Sequence, residues 1–98
     1  MTMDMLYHFP RTRFVDENGI VFQTNHVLLE AKEARFEASN LDDDGHTINT
    51  LAMEIMDIYH SSETALRILE EKHGINIQKL MFAVYEKNEK RGYYDAHN

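Results

Sequence analysis

The 98-residue chain has no cysteine, a single proline and four glycines, and its ten basic residues are outnumbered by seventeen acidic ones. Without cysteine there is no Cys/His catalytic set, and cysteine usage gives no reading of the redox compartment. The scarcity of proline and glycine, beside many Glu, Lys, Leu, Met and Ala residues, argues against a hairpin-rich β fold and for long helices. A net charge of -7 argues against binding a phosphate backbone through a basic surface, which needs clustered Lys and Arg, so nucleic acid is not an expected partner. No apolar run approaches the roughly 18 residues of a membrane span. The N-terminus MTMDMLYHFPRTRF lacks the apolar core of a signal peptide, so the expectation is a cytoplasmic protein with no membrane partner. Neither a Ser/His/Asp set nor a glycine-rich phosphate loop can be read.

What is present is enough for one small folded domain over residues 1–98. The chain is 43% apolar and 28% charged, which is globular rather than disordered composition. Residues 1–20 carry mixed signals and read as an irregular arm that straps the core or a neighbouring subunit, with Asn18-Gly19 as a possible hairpin turn. From about Phe22 to Ser39 the pattern is helical: Val27, Ala31, Ala34 and Ala38 form an apolar stripe, and Gln23, His26, Glu30, Glu33 and Glu37 a polar one. Asn40 and the acidic stretch Asp42–Asp44 break that helix, and the stretch lacks the ligand alternation of an EF-hand. A second helix is expected from a Thr47 cap to a stop at Gly74, with Ile48, Leu51, Ala52, Ile55, Ile58, Tyr59, Ser62, Ala65, Leu66 and Leu69 as its core-facing stripe. Thr50, Glu54, Asp57, Ser61 and Thr64 share an adjacent polar strip. At about 40 Å this helix exceeds the roughly 33 Å diameter of a compact monomer of this size, which predicts a homodimer or homotetramer. A last helix begins at an Asn76 cap and ends before Gly92.

Two acidic patterns stand out, Glu30-Ala-Lys-Glu33 and Glu54-Ile-Met-Asp57, separated by 20 residues. Residues three apart are neighbours on a helix surface, so each pair projects from one face. Two unit charges about 5 Å apart at an effective dielectric of about 20 repel by about 3 kcal/mol. A convergent quartet contains several such pairs, a penalty comparable with the whole stability of a small domain, on the order of 5–15 kcal/mol. Either the stripes point apart into water, or they meet around a divalent cation.

The order Glu-x-x-Glu, 20 residues, Glu-x-x-Asp, then Lys87-Asn88-x-x-Arg91-Gly92-Tyr93-Tyr94 resembles the MazG-like nucleoside triphosphate pyrophosphohydrolases over Leu28–Tyr94. The resemblance implies an all-α antiparallel helical bundle. It also implies Glu30, Glu33, Glu54 and Asp57 as metal ligands and catalytic residues. These would hold Mg²⁺, with Mn²⁺ as a substitute, and cleave a nucleoside triphosphate to a monophosphate and pyrophosphate. Lys87, Asn88 and Arg91 become phosphate contacts, with capping of the helix C-terminus as their simpler role. The family's first motif commonly begins with two glutamates, and here Leu29 stands at the leading position. That substitution leaves room for a catalytically weak member that binds nucleotide or a protein partner. A phosphoribosyl-ATP pyrophosphohydrolase and a plain helical assembly protein share the same layout. His26 and His60 lie one turn from the acidic residues and read as structural before catalytic.

Overall fold

Every regular element in this computed structural model is a helix; the residues described are 6–42 and 45–94. The short α1 is Phe14–Glu17, α2 is Ile20–Ser39, α3 is Ile48–His73 and α4 is Ile77–Lys90. The all-α expectation therefore holds. Residues 1–5 of the expected arm, and Asp43 and Asp44 of the acidic stretch, lie outside the described residues.

The helix ends follow local chemistry. Thr47 Oγ1 accepts from the Thr50 N–H at 3.2 Å, and Thr50 Oγ1 accepts from the Thr47 N–H at 2.9 Å, a reciprocal cap that fixes the start of α3. At its other end Gly74 adopts φ 70°, ψ 20°, and the Ile75 N–H reaches back to the Leu69 carbonyl at 3.2 Å. A left-handed residue of this kind favours glycine because it has no Cβ to clash. Asn76 Oδ1 accepts from the Lys79 N–H at 3.0 Å and starts α4.

The arm differs from a hairpin. Asn18-Gly19 joins two helices, and α2 begins at Ile20, two residues before its apolar rhythm becomes legible. Residues 7–12 lie along the C-terminal half of α3, held there by a pair of buried charged residues one helical turn apart. Glu63 accepts the N–H groups of His8 and Phe9, at 2.8 Å each by its nearer oxygens. Arg67 donates to the Phe9 carbonyl at 2.9 Å and lies over the Tyr7 ring at 4.1 Å. Tyr7 donates its hydroxyl to Glu70 at 2.9 Å, and Arg11 bridges Glu71 and Asp16. Of the buried apolar residues, Tyr7, Val15, Ala65, Ile68 and Ile77 belong to this end of α3 or the segments beside it, while Ala34 lies on α2 opposite the other half.

α2 and α3 run antiparallel, Gln23 meeting Ser61 and Glu37 meeting Thr50. Their polar strips face each other. Gln23, Ser61 and Thr64 are buried, and Glu30, Glu37, Thr50 and Glu54 are half-buried. The stripe read as the core face of α3 is only partly covered: Ala65 is buried and Leu51, Ile58, Leu66 and Leu69 are half-buried, while Ile48 is 67% and Ile55 53% exposed. Among the described residues nothing covers Ile48 and Ile55, because α4 barely touches α2 or α3 and turns its own Leu80, Met81, Val84 and Tyr85 to the surface.

Candidate functional site

The seam between α2 and α3 holds all four acidic residues of the two patterns, in two adjoining clefts. Glu30 and Asp57 line the larger, of about 500 Å³, and Glu33 and Glu54 line the smaller, of about 360 Å³, together with Glu37. The helical spacing explains the division. Residues three apart on each helix step along the seam, so each acidic residue of α2 faces the oppositely running α3 at a different level.

Each carboxylate has its own environment. Glu30 accepts a hydrogen bond from the Ser61 hydroxyl, and His26 Nε2 lies 3.6 Å from its Oε1. Glu37 accepts from His46 Nδ1 at 2.8 Å and from the Thr50 hydroxyl at 3.4 Å. Among the described residues none donates to Glu54 in this way. Partial desolvation, followed by the charges of Glu33, Asp57, Glu37 and Glu30, holds its carboxyl above the ordinary range. The four expected ligands thus lie within one another's electrostatic reach. Among the described residues, however, no three carboxylate or imidazole side chains converge closely enough to form a finished cation site. The donor set is nonetheless suited to a hard cation, being carboxylate oxygens that repel one another until a positive charge separates them.

Leu29, at the position where a further carboxylate was the expectation, is exposed at the rim of the smaller cleft beside Lys32 and Phe36. Glu37, one turn beyond Glu33, belongs to that cleft and contributes to the field on Glu54. His60 stacks on Phe9 with ring centroids 4.4 Å apart and an interplanar angle of 17°. Its Nε2 is buried without a hydrogen-bond partner among the described residues, on the wall of the larger cleft.

Lys87, Asn88 and Arg91 do not line either cleft. They sit at the end of α4, where the Arg91 N–H bonds the Lys87 carbonyl at 3.2 Å and the Tyr93 N–H bonds the Asn88 carbonyl at 3.0 Å. Arg91 lies over the Tyr93 ring at 6.0 Å, and Tyr94 stacks on Tyr85 of α4 itself, with centroids 5.0 Å apart. Within one chain these residues close a helix end and leave their cationic groups at the surface.

The sequence reading passed over three residues that shape the site. Gln23 appeared only as one member of a polar stripe, Asn18 as part of a turn, and Glu63 not at all. Nothing in local periodicity marks a Glu whose role is to bind backbone N–H groups 55 residues away. Comparison with protein-family models, curated proteins and solved structures returned no match, so the functional reading rests on these residues.

Proposed function

We propose that this chain is a Mg²⁺-dependent nucleoside triphosphate pyrophosphohydrolase of MazG-like type, active as a homo-oligomer. The observation that carries the reading is the meeting of two carboxylate stripes along the α2–α3 seam, with the Glu54 carboxyl raised by desolvation and then by four acidic neighbours. Glu30 and Glu54 are half-buried at the seam, while Glu33 and Asp57 stay exposed along its edge. Carboxylates crowded in this way are stabilised by a cation bound among them.

In this reading Glu30, Glu33, Glu54 and Asp57 are the metal-holding residues. The Ser61 hydroxyl presets the Glu30 carboxylate, and His46 and Thr50 tether Glu37 at the edge of the set. Bound Mg²⁺ supplies neutralisation of the phosphate oxygens and acidifies water, the contributions that metal ions make to phosphoryl chemistry. The larger cleft beside Glu30 and Asp57 is where substrate enters.

A second copy of the chain supports the same reading on grounds of area. The accessible surface is 7537 Å² for a mass of 11.5 kDa, against about 5,800 Å² from the size scaling of folded monomers. Two copies that bury the excess of about 1,700 Å² each fall in the range of obligate dimer interfaces. The radius of gyration, 16.1 Å, likewise exceeds the roughly 13 Å of a compact chain of this length. Such pairing covers α4 and the outward stripe of α3. It also offers a route for Lys87 and Arg91 to reach the acidic seam of the other copy.

The test is turnover of a nucleotide panel with Mg²⁺. Pyrophosphate release that disappears in Glu54→Gln and Asp57→Asn supports the proposal; orthophosphate as the product, or turnover indifferent to both substitutions, rejects it. One observation favours a second reading. Leu29 places an apolar side chain at the acidic rim, and a protein that binds nucleotide tightly without cleaving it fits that loss of a carboxylate.

A further inference from the structure

The wall of the larger cleft carries a hydrogen-bond relay whose direction is set at one end by the backbone. Gln23, 2% exposed, donates from Nε2 to the Ser61 carbonyl oxygen at 3.1 Å. A carbonyl only accepts, so the Gln23 amide has one orientation, and its Oε1 is left to accept from Asn18 Nδ2 at 2.8 Å. That bond fixes the Asn18 amide in turn. The relay ends in the side-chain oxygen of Asn18, Oδ1, to which no described residue donates, whereas the Asn18 backbone carbonyl accepts from Lys72 Nζ at 3.3 Å. Asn18, Phe14 and Phe22 line the same cleft as Glu30 and Asp57, and Phe22 is 65% exposed. The cleft, about 500 Å³, lies within the size range of small-molecule sites.

We infer that this cleft is the nucleobase subsite, and that Asn18, oriented by Gln23, selects bases bearing an exocyclic amino group over uracil and thymine. The inference rests on the nucleotide reading given above. Cytosine and adenine offer an amino donor where thymine presents a carbonyl acceptor, and guanine carries its own amino group at C2. A fixed amide oxygen accepts from such an amine and repels a carbonyl in the same place. Asn18 cannot turn its amide over without taking the donor away from the buried Gln23 oxygen, and a buried acceptor left unpaired is costly. The phenyl rings, by contrast, offer a face on which any base stacks. Stacking supplies affinity, and the relay supplies choice.

Cytosine and uracil give the cleanest comparison: they differ in amine against carbonyl at C4 and in acceptor against N–H at N3, and the inference places the C4 group against Asn18 Oδ1, so that uracil can be accepted only by shifting its N3–H into that place. Calorimetric binding of CMP and UMP to the full chain in Mg²⁺ is expected to favour CMP by about tenfold, with kcat/KM for CTP over UTP following the same ratio. Asn18→Leu is expected to bring the binding ratio to within about threefold by weakening the cytosine compound, a partial loss since stacking remains. Phe22→Ala, at an exposed position, is expected to weaken both monophosphates alike by about tenfold and leave their ratio unchanged. Equal affinity for CMP and UMP in the unmodified protein, or a preference for UMP, overturns the inference, and this comparison requires no variant to fold. Discrimination that survives Asn18→Leu overturns it as well. Selective CMP binding without any triphosphate turnover keeps the subsite and rejects the hydrolase; equal turnover of CTP and UTP with pyrophosphate release keeps the hydrolase and rejects the subsite.

Discussion

At the scale of single residues, Glu54 and Glu63 titrate in opposite senses, and the difference follows from what surrounds them. Glu54 has desolvation and four negative neighbours, so its carboxyl is raised in the folded chain. A raised carboxyl binds its proton more tightly folded than unfolded, so the metal-free protein is expected to gain stability as pH falls from neutrality through the Glu54 titration. Melting curves in chelator between pH 7 and 5 check this, and Glu54→Gln should remove the gain while raising the melting temperature at pH 7. Burial alone would raise Glu63 too, but the His8 and Phe9 N–H groups and the His8 side chain outweigh it, and its carboxyl is lowered. Its contribution is therefore complete above the ordinary carboxylate range and is lost as pH falls through the lowered folded value. Glu63→Ala strips two part-buried N–H groups of their acceptor and is expected to cost about 2 kcal/mol in chemical denaturation. The four acidic positions of the seam were legible from spacing because helical neighbours recur at fixed intervals. Asn18, Gln23 and Glu63 were not, since their partners are set by tertiary approach and no local rule names them.

The helices themselves were the most legible part of the chain. Thr47, Gly74 and Asn76 mark boundaries by chemistry that acts within a few residues, and each boundary is found where that chemistry puts it. Thr47→Ala removes one half of the reciprocal cap and is expected to cost about 1 kcal/mol. Gly74→Ala forces a Cβ into the left-handed region, although open space surrounds the position, and is expected to cost about 1–2 kcal/mol. Both changes are measurable by urea titration, with unchanged denaturant slopes if the fold is kept. What could not be read was which face of α3 turns inward. Periodicity identifies an apolar stripe but not its partner, and here the single chain places Ser61, Thr64 and half-buried Glu54 against α2 while Ile48 and Ile55 remain outside. The rule that the apolar stripe marks the core presumes that one chain supplies both sides of it.

At the scale of the whole molecule, the outward stripe of α3 makes assembly a direct prediction. Light scattering is expected to give a dimer or larger species, and Ile55→Glu to shift it toward monomer with a loss of cooperative melting; a monodisperse monomer of the unmodified chain would refute the pairing. If Arg91 of one copy serves the carboxylates of the other, mixing inactive Glu54→Gln with inactive Arg91→Ala chains should restore part of the turnover. The arm raises a separate consequence, one of timing. His8 and Glu63 are 55 residues apart and Tyr7 and Glu70 are 63 apart, yet these contacts hold the segment that carries Thr12 and Phe14 to the cleft wall. Chain emerging from the ribosome makes the arm first and its anchor last, so α1 and the arm wait through the synthesis of two helices before they have a surface to bind. For a helical chain, closure over such distances is slow relative to helix formation. The cleft is therefore the last feature to be completed in folding, and refolding followed by nucleotide binding should lag refolding followed by helical circular dichroism.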